Sequence, residues 1–455
     1  MSARLAVETL AARAAGRLSR LAGTGGGTTL PGKLLWKLDP GAIDALAGRL
    51  PHGAAVVSAT NGKTTTTAMA AEILERRYAL AWNRSGANLV SGVASTLLVE
   101  RDAELGLLEV DEGALPEVVR RVRPRAILLA NLFRDQLDRY GELEHVAERW
   151  RAATAELPAE TVLIVNGDDP QVGDLARGRP GAIAFGIDDP SHARSALQHA
   201  ADSRYCVACG SPYDFAAAYV GHLGDYRCPA CGHTRPELQV AAREIELDGL
   251  HSASFDLVTP AGATRVRLPL PGLYNVYNAL GAAALAQALG ASLEEIRDGL
   301  ERFGAAFGRF ERIAVGDKTI LLLLIKNPAG ANEVVRTLEE AGTPRLLLLA
   351  LNDATADGKD VSWIWDVDLE PLLAGVERLI LSGDRAAELG LRCVYGGISE
   401  DALELERDLA RALDRGLALT PAGGELVVLP TYTAMLGLQR IVTERGLAKP
   451  YWERT

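Results

Sequence analysis

The sequence predicts an α/β protein: a mostly parallel sheet, a second strand–helix region behind it, and a small cysteine module set into the first. Three observations carry that reading. Short apolar runs alternate with amphipathic stretches from residue 54 onward, a Gly-Lys-Thr loop joins the first run to a helix, and two Cys-x-x-Cys pairs interrupt the alternation after residue 200.

The chain has 455 residues, 48% hydrophobic and 24% charged, which is ordinary globular composition and long enough for two or three cores. A net charge of -11 argues against broad nucleic-acid binding, which needs basic surface. No apolar run approaches the roughly 18 residues of a membrane span. Residues 1–21 carry Arg4, Arg13, Arg17 and Arg20 against Glu8, with no continuous apolar stretch. A packed amphipathic helix is therefore expected in preference to a secretory signal, with contact at a membrane surface as the lesser alternative.

Taken in order, Gly23–Thr29 separates that helix from the rest. A strand is expected at Ala54–Ser58, a helix at Lys63–Arg76, a strand at Leu107–Val110, a helix at Leu115–Val122, and strands at Ala126–Ala130 and Thr161–Val165. Residues 200–235, rich in Cys, Gly, His and Tyr, break the pattern. Strand–helix alternation is expected to return near residue 240 and run to Gly308. A third region begins near Ile313, with strands at Ile320–Ile325, Arg345–Leu351, Arg378–Leu381 and Glu425–Leu429. The expected division is 1–45 as helix and linker, 46–312 as a central domain with 200–235 inserted, and 313–455 as a C-terminal domain.

The loop Ser58-Ala-Thr-Asn-Gly-Lys-Thr-Thr-Thr-Thr67 follows a strand and opens a helix. Backbone N–H groups of Thr60, Asn61 and Gly62 and the helix N-terminus would face an anion. Gly62 permits close approach, Lys63 reaches the terminal phosphates, and Thr64 or Thr65 offers Mg²⁺ a hydroxyl. Ala59 is compatible with such a loop only at negative φ.

Cys206-x-x-Cys209 and Cys228-x-x-Cys231 are separated by 18 residues, and Gly210 and Gly232 follow the second cysteine of each pair. Two such knuckles make a closed tetrahedral Zn²⁺ site, structural because every position is a thiolate. Nucleic-acid binding, a common use of such ribbons, is disfavoured by the acidic chain. Five cysteines so arranged suit a reducing compartment, and the fifth, Cys393, reads as core.

Thr-Asn-Gly-Lys-Thr-Thr resembles the loop of the Mur ligases and folylpolyglutamate synthases. Further segments resemble that superfamily in the right order: Leu107–Glu112, a strand ending in carboxylates; Asn131–Arg139; Asn166-Gly-Asp-Asp-Pro170; Gly272-Leu-Tyr-Asn-Val-Tyr-Asn-Ala279; and Gly308-Arg-Phe-Glu311. The resemblance implies a central ATPase domain and a C-terminal Rossmann-like domain. It implies Glu109 as the Mg²⁺ ligand with Asp111 and Glu112 less certain, Asn275 near the adenine, Arg309 near the phosphates, and acyl-phosphate chemistry with ATP.

Ordinary Mur ligases lack the cysteine insertion. The insertion, Lys326-Asn-Pro-Ala-Gly330, Leu351–Asp366 and Thr28–Lys33 are similar to the MurT-type branch, the ligase-like subunits of lipid II isoglutaminyl synthase. That resemblance implies a heterodimer with a GatD-like glutaminase, which supplies ammonia, and lipid II as substrate, whose D-glutamate α-carboxylate becomes D-isoglutamine. It fits the lack of a nucleophile elbow around Cys393. It also implies an aspartate completing the partner's Cys–His pair: Asp360 first, with Asp357 and Asp353 as alternatives, and helix-capping turns as the plain structural reading. Trp363 and Trp365 are either interface anchors or core. A cytoplasmic chain, reaching the inner membrane face through its substrate, is expected. The competing readings are an amino-acid-adding ligase, a non-enzymatic ribbon module, and the same chemistry on a soluble precursor in place of a lipid-linked one.

Overall fold

The computed structural model describes Thr9, Ala12 and residues 29–84, 87–135, 143–194, 197–198, 201–304 and 309–448. Thr9 and Ala12 are helical and buried; the rest of the expected N-terminal helix, and the separator up to Thr28, lie outside the described residues.

Helices α1 (Leu30–Leu38) and α2 (Ala42–Ala47) precede the first strand. Residues 30–47 are thus folded rather than a free linker: Leu35, Ile43 and Leu46 are buried, and the Gly32 N–H donates to Ser95 Oγ at 2.8 Å. The first sheet has nine strands in the order β11-β10-β9-β6-β5-β4-β1-β3-β2. Its strands are β1 (Ala54–Ser58), β2 (Leu80–Trp82), β3 (Leu105–Glu109), β4 (Ala126–Leu129), β5 (Val162–Asn166), β6 (Ile183–Ile187), β9 (Val240–Asp248), β10 (Ser252–Thr259) and β11 (Gly262–Leu268). From β2 through β6 to β9 all neighbours are parallel.

Such a sheet must be apolar on both faces, and the sequence alternation sorts the residues. Val57, Leu107 and Leu128 face α3 (Lys63–Leu74), while Val56, Leu108 and Ile127 face α4 (Val90–Val99), α5 (Leu115–Val122) and α6 (Leu143–Ala155). The strand–helix alternation expected from residue 240 does not occur. β9, β10 and β11 form an antiparallel meander, followed by α7 (Leu273–Ala288) and α8 (Leu293–Arg302). Alternating residues such as Phe255, Leu257 and Val266 bury one face only, the mark of an antiparallel sheet open to solvent on the other.

The ribbon region holds the hairpin β7 (Asp214–Val220) and β8 (Leu223–Arg227), a separate two-stranded sheet. The second large sheet has the order β12-β13-β17-β14-β15-β16: β12 (Arg309–Val315), β13 (Lys318–Leu323), β14 (Leu346–Ala350), β15 (Arg378–Ser382), β16 (Leu403–Leu405) and β17 (Glu425–Pro430). Only β12 is antiparallel to its neighbour. Its helices are α9 (Pro328–Ala341), α10 (Ala386–Tyr395), α11 (Leu409–Leu419) and α12 (Tyr432–Glu444). Among the described residues, no helix is long and apolar enough to cross a membrane.

Candidate active site at the carboxyl ends of the strands

In an open parallel sheet, ligands collect where strands end and helices begin. Here β1 ends at Ser58 and α3 starts at Lys63. Gly62 turns the chain with φ +83°, and a Cβ there would stand 2.0 Å from Asn278 Oδ1, so only glycine fits. Ala59 is absent from the positive-φ residues, as the loop requires.

Asn131, at the end of β4, braces the loop. The Asn61 N–H donates to Asn131 Oδ1 (2.8 Å), Asn131 Nδ2 donates to the Asn61 carbonyl (3.0 Å), and the Thr60 N–H donates to the Asn131 carbonyl (2.9 Å). The Phe133 N–H donates to Thr60 Oγ1 at 3.0 Å. Four successive threonines are poor helix formers. They are tolerated because α3 packs on α7, where Thr66 Oγ1 meets Asn278 Oδ1 at 3.2 Å.

Lys63 is buried, and its Nζ lies 2.8 Å from Glu112 Oε2, with further donation to the carbonyls of Ala59 and Thr60. Burial works to lower the lysine's pKa, but the carboxylates of Glu112, Asp111 and Glu109 outweigh it and hold it above its ordinary value. Burial likewise pushes Glu112 upward, and the cations Lys63 and Lys326 draw it below the usual carboxylate range. Both shifts favour the ionised pair.

Glu109, at the end of β3, receives Thr64 Oγ1 at 3.2 Å and Asn88 Nδ2 at 3.1 Å on Oε1. Asn83 fixes its backbone from both sides, accepting the Glu109 N–H and donating to the Glu109 carbonyl, each at 2.8 Å. Adjacent ligands of octahedral Mg²⁺ at about 2.1 Å stand about 3 Å apart. The Thr64 hydroxyl and Glu109 carboxylate have that spacing. Thr65 faces the pocket beside them.

That pocket continues from Asn61, Gly62 and Thr65 into an apolar slot walled by Phe133, Tyr274, Phe310, Val220 and Leu223. Tyr274 and Phe310 stack with ring centres 6.1 Å apart, and Phe310 holds a left-handed backbone at φ +58°. Asn275 lines the slot, its Nδ2 bound to the Pro271 carbonyl (2.7 Å) and its Oδ1 to Asn278 (3.1 Å). Arg309 opens β12; its side chain and Gly308 lie outside the described residues, as do residues 136–139 of the Asn131 segment.

Composition alone did not single out Lys326 as a site residue. From the second sheet region its Nζ donates to the Thr60 carbonyl (3.0 Å) and pairs with Asp135 Oδ2 (2.6 Å), while Asn327 bonds Asn61 side chain to side chain at 3.0 Å. Asn83 and Asn131 were also missed as site residues. Asparagine at the end of an apolar run was the available signal.

The four cysteines converge. Their Sγ atoms all lie within 4.8 Å of one another, with Cys206–Cys231 at 3.6 Å and Cys209–Cys228 at 3.5 Å. Ligands at about 2.3 Å around a tetrahedral ion stand about 3.8 Å apart, so the cluster could hold a metal. Among the described residues it is the one such group found.

The aspartate segment divides. Asp357 is buried, receiving the Thr433 N–H (2.8 Å) and the Thr433 hydroxyl, and burial pushes its carboxyl up. Asp353 pairs with Arg385 at 3.3 Å. Asp360 is exposed; it receives the Ser362 N–H (2.9 Å), and bonding to Ser362 holds its carboxyl below the usual range. In the turn Ser362–Asp366 that follows, Trp363 packs on the core. Trp365 is 48% exposed and meets the 74% exposed Tyr395 edge-on at 5.6 Å.

Two mostly parallel sheets, a short phosphate loop and a strand-end carboxylate opposite it define a Mur ligase. The Mur ligase middle domain family matches residues 57–227, and the MurT ligase C-terminal family matches residues 324–435. A pseudomurein peptide ligase type C from Methanothermus fervidus shares the fold with TM-score 0.67 at 21% identity, over 86% of this chain and 79% of that one. MurF from Acinetobacter baumannii does so with TM-score 0.65 at 21% identity, over 89% and 79%. In sequence, the lipid II isoglutaminyl synthase (glutamine-hydrolyzing) subunit MurT of Streptococcus pneumoniae is 32% identical over 439 residues, 95% of each chain. That of Staphylococcus aureus strain N315 is 30% identical over 430 residues, 93% of this chain and 94% of the other. The chain belongs to the MurT family.

Proposed function

We propose that this chain is the synthase subunit of a lipid II isoglutaminyl synthase: it activates the D-glutamate α-carboxylate of lipid II with ATP and passes it to ammonia. The observation that carries the reading is the loop Thr60–Thr65 with Lys63 above it and the Thr64–Glu109 pair at its flank, inside a chain similar to MurT over nearly its full length. In this reading residues 46–312 are the ATPase domain, and 313–455 form a Rossmann-like domain that brings Lys326 to the loop.

ATP lies with its base in the apolar slot near Asn275 and its phosphates over Gly62, with Arg309 approaching from the boundary. A carboxylate oxygen of the substrate attacks the γ-phosphorus and ADP leaves. Lys63, held at the loop by Glu112, meets the charge on the transferred group, where a fixed cation in a dry site is most effective. Ammonia then attacks the acyl carbon; phosphate leaves and one proton is lost from nitrogen. Thr64 and Glu109 would hold Mg²⁺, which would supply charge neutralisation to the phosphates. Cys206, Cys209, Cys228 and Cys231 would hold Zn²⁺ in a closed site, where its role would be structural.

The ammonia comes from a GatD-like glutaminase in a heterodimer. Asp360 is the aspartate offered to the partner's histidine, because of the three candidates it alone is exposed, while Asp357 is committed to Thr433. Trp365 and Tyr395 are the aromatic anchors beside it. The test is amidation of lipid II by the two chains together, fed with either glutamine or ammonium. ATP- and glutamine-dependent formation of the amidated product is expected. Turnover that instead requires a free amino acid and ignores the partner would establish the amino-acid ligase reading.

A further inference from the structure

The cysteine ribbon does not stand apart from the nucleotide pocket; its hairpin ends in it. Val220 and Leu223, either side of the β7–β8 turn, line the slot together with Tyr274 and Phe310. The turn itself is embedded. Gly221 has φ +58°, and a Cβ there would meet Phe133 Cε1 at 2.8 Å. His222 is fully buried, its ring 4.6 Å from Phe133 and its Nε2 3.4 Å from Asp169 Oδ2, with neither nitrogen hydrogen-bonded. Phe133 is the residue whose N–H holds Thr60 of the phosphate loop.

Three further ties fix the hairpin. Gly221 N–H donates to Gln198 Oε1 (2.8 Å), and Gln198 Nε2 to Glu333 on α9 (3.3 Å). Arg336, also on α9, donates to the Tyr219 carbonyl at 3.0 Å. Beside the turn, Gly224 N–H donates to the Asp168 carbonyl (2.9 Å), and the Asp168 carboxylate takes Arg235 (3.0 Å) and Tyr277 (2.6 Å), the latter a pocket residue.

A two-stranded hairpin is marginal on its own in water. The cysteine cluster lies at its open end: Cys209 precedes β7 and Cys228 follows β8 directly. We infer that the ribbon is a positioning device for the nucleotide base: a metal joining the four thiolates staples the open end of the hairpin, and the closed end thereby holds Val220 and Leu223 as a wall of the base slot. The inference rests on the reading of this pocket as the nucleotide's.

The test is calorimetric titration of the full, metal-loaded chain with Mg-ADP and, separately, with Mg-tripolyphosphate, which has no base. Val220→Ala with Leu223→Ala is expected to weaken ADP about tenfold or more and to leave tripolyphosphate within twofold. Cys209→Ser with Cys231→Ser, which replaces the two exposed thiols, is expected to lose the metal and reproduce that pattern. ADP binding unchanged in either variant overturns the inference. So does joint loss of both ligands with loss of far-UV circular dichroism, which would make the ribbon a folding element. Lys63→Ala distinguishes the underlying reading: it should weaken both ligands. If it weakens neither, the phosphate-loop assignment fails, and the inference with it.

Discussion

The phosphate loop and the aspartate segment of the second sheet both gather charges at the ends of parallel strands, yet they treat them oppositely. Around the loop the charges are closed in: Lys63 is buried against Glu112, and the half-buried Lys326 pairs with Asp135. Burial raises Asp135 above the usual carboxylate range even with Lys326 beside it, so desolvation dominates there. In residues 353–366, Asp357 is locked to Thr433 while Asp360 is left on the surface. A buried pair is expensive to break, roughly 3–5 kcal/mol, but keeps a cation in place for chemistry inside the chain. An exposed carboxylate contributes little to the fold and stays accessible to a group on another molecule.

The largest effect should come from Lys63→Ala. Amidation should fall about 10³-fold with glutamine and with ammonium alike, with secondary structure retained by circular dichroism. A nitrogen-source preference in this variant would blur the division between the two regions. Next comes Glu112→Gln, which strands a buried lysine; urea denaturation should show a loss of about 3 kcal/mol. Because the Glu112 carboxyl is held below its unfolded value, its stabilisation is present above about pH 4.5 and is lost as pH falls through the folded value. The variant should lack that acid limb, and an unchanged pH–stability curve would remove the ion pair from the account.

Asp360→Asn should lower glutamine-driven turnover about 10²-fold, the low end for a group that assists a base, and spare ammonium-driven turnover. Equal loss with both nitrogen sources would place Asp360 in the ATP half-reaction instead. The smallest effect is expected at Asp357→Asn: about 1–2 kcal/mol of stability and no selective loss with glutamine. A glutamine-specific defect there would exchange the roles of the two aspartates.

Much of this is legible in the sequence itself. Strand positions came from short apolar runs, and the loop from Gly62 and Lys63 between a strand and a helix. The cysteine cluster came from spacing, since a knuckle is local. The expectation for residues 240–268 failed because an apolar run bounded by turns has the same signature in a parallel strand and in a meander. Asn83 escaped, and Asn131 and Lys326 stood only within similar segments and not as site residues, because their significance lies in what they reach, at separations of 26, 70 and 266 residues.

The sequence by itself determined the parts that depend on near neighbours: the phosphate loop, the thiolate pairs, the alternation of strand and helix, and the MurT likeness. Tertiary structure decided which of three aspartates faces outward, that the ribbon's hairpin walls the apolar slot, and that a lysine from the second sheet meets the loop of the first. Those facts come from packing between distant segments. Burial and long-range hydrogen bonds set them, and neither is written in the spacing of residues along the chain.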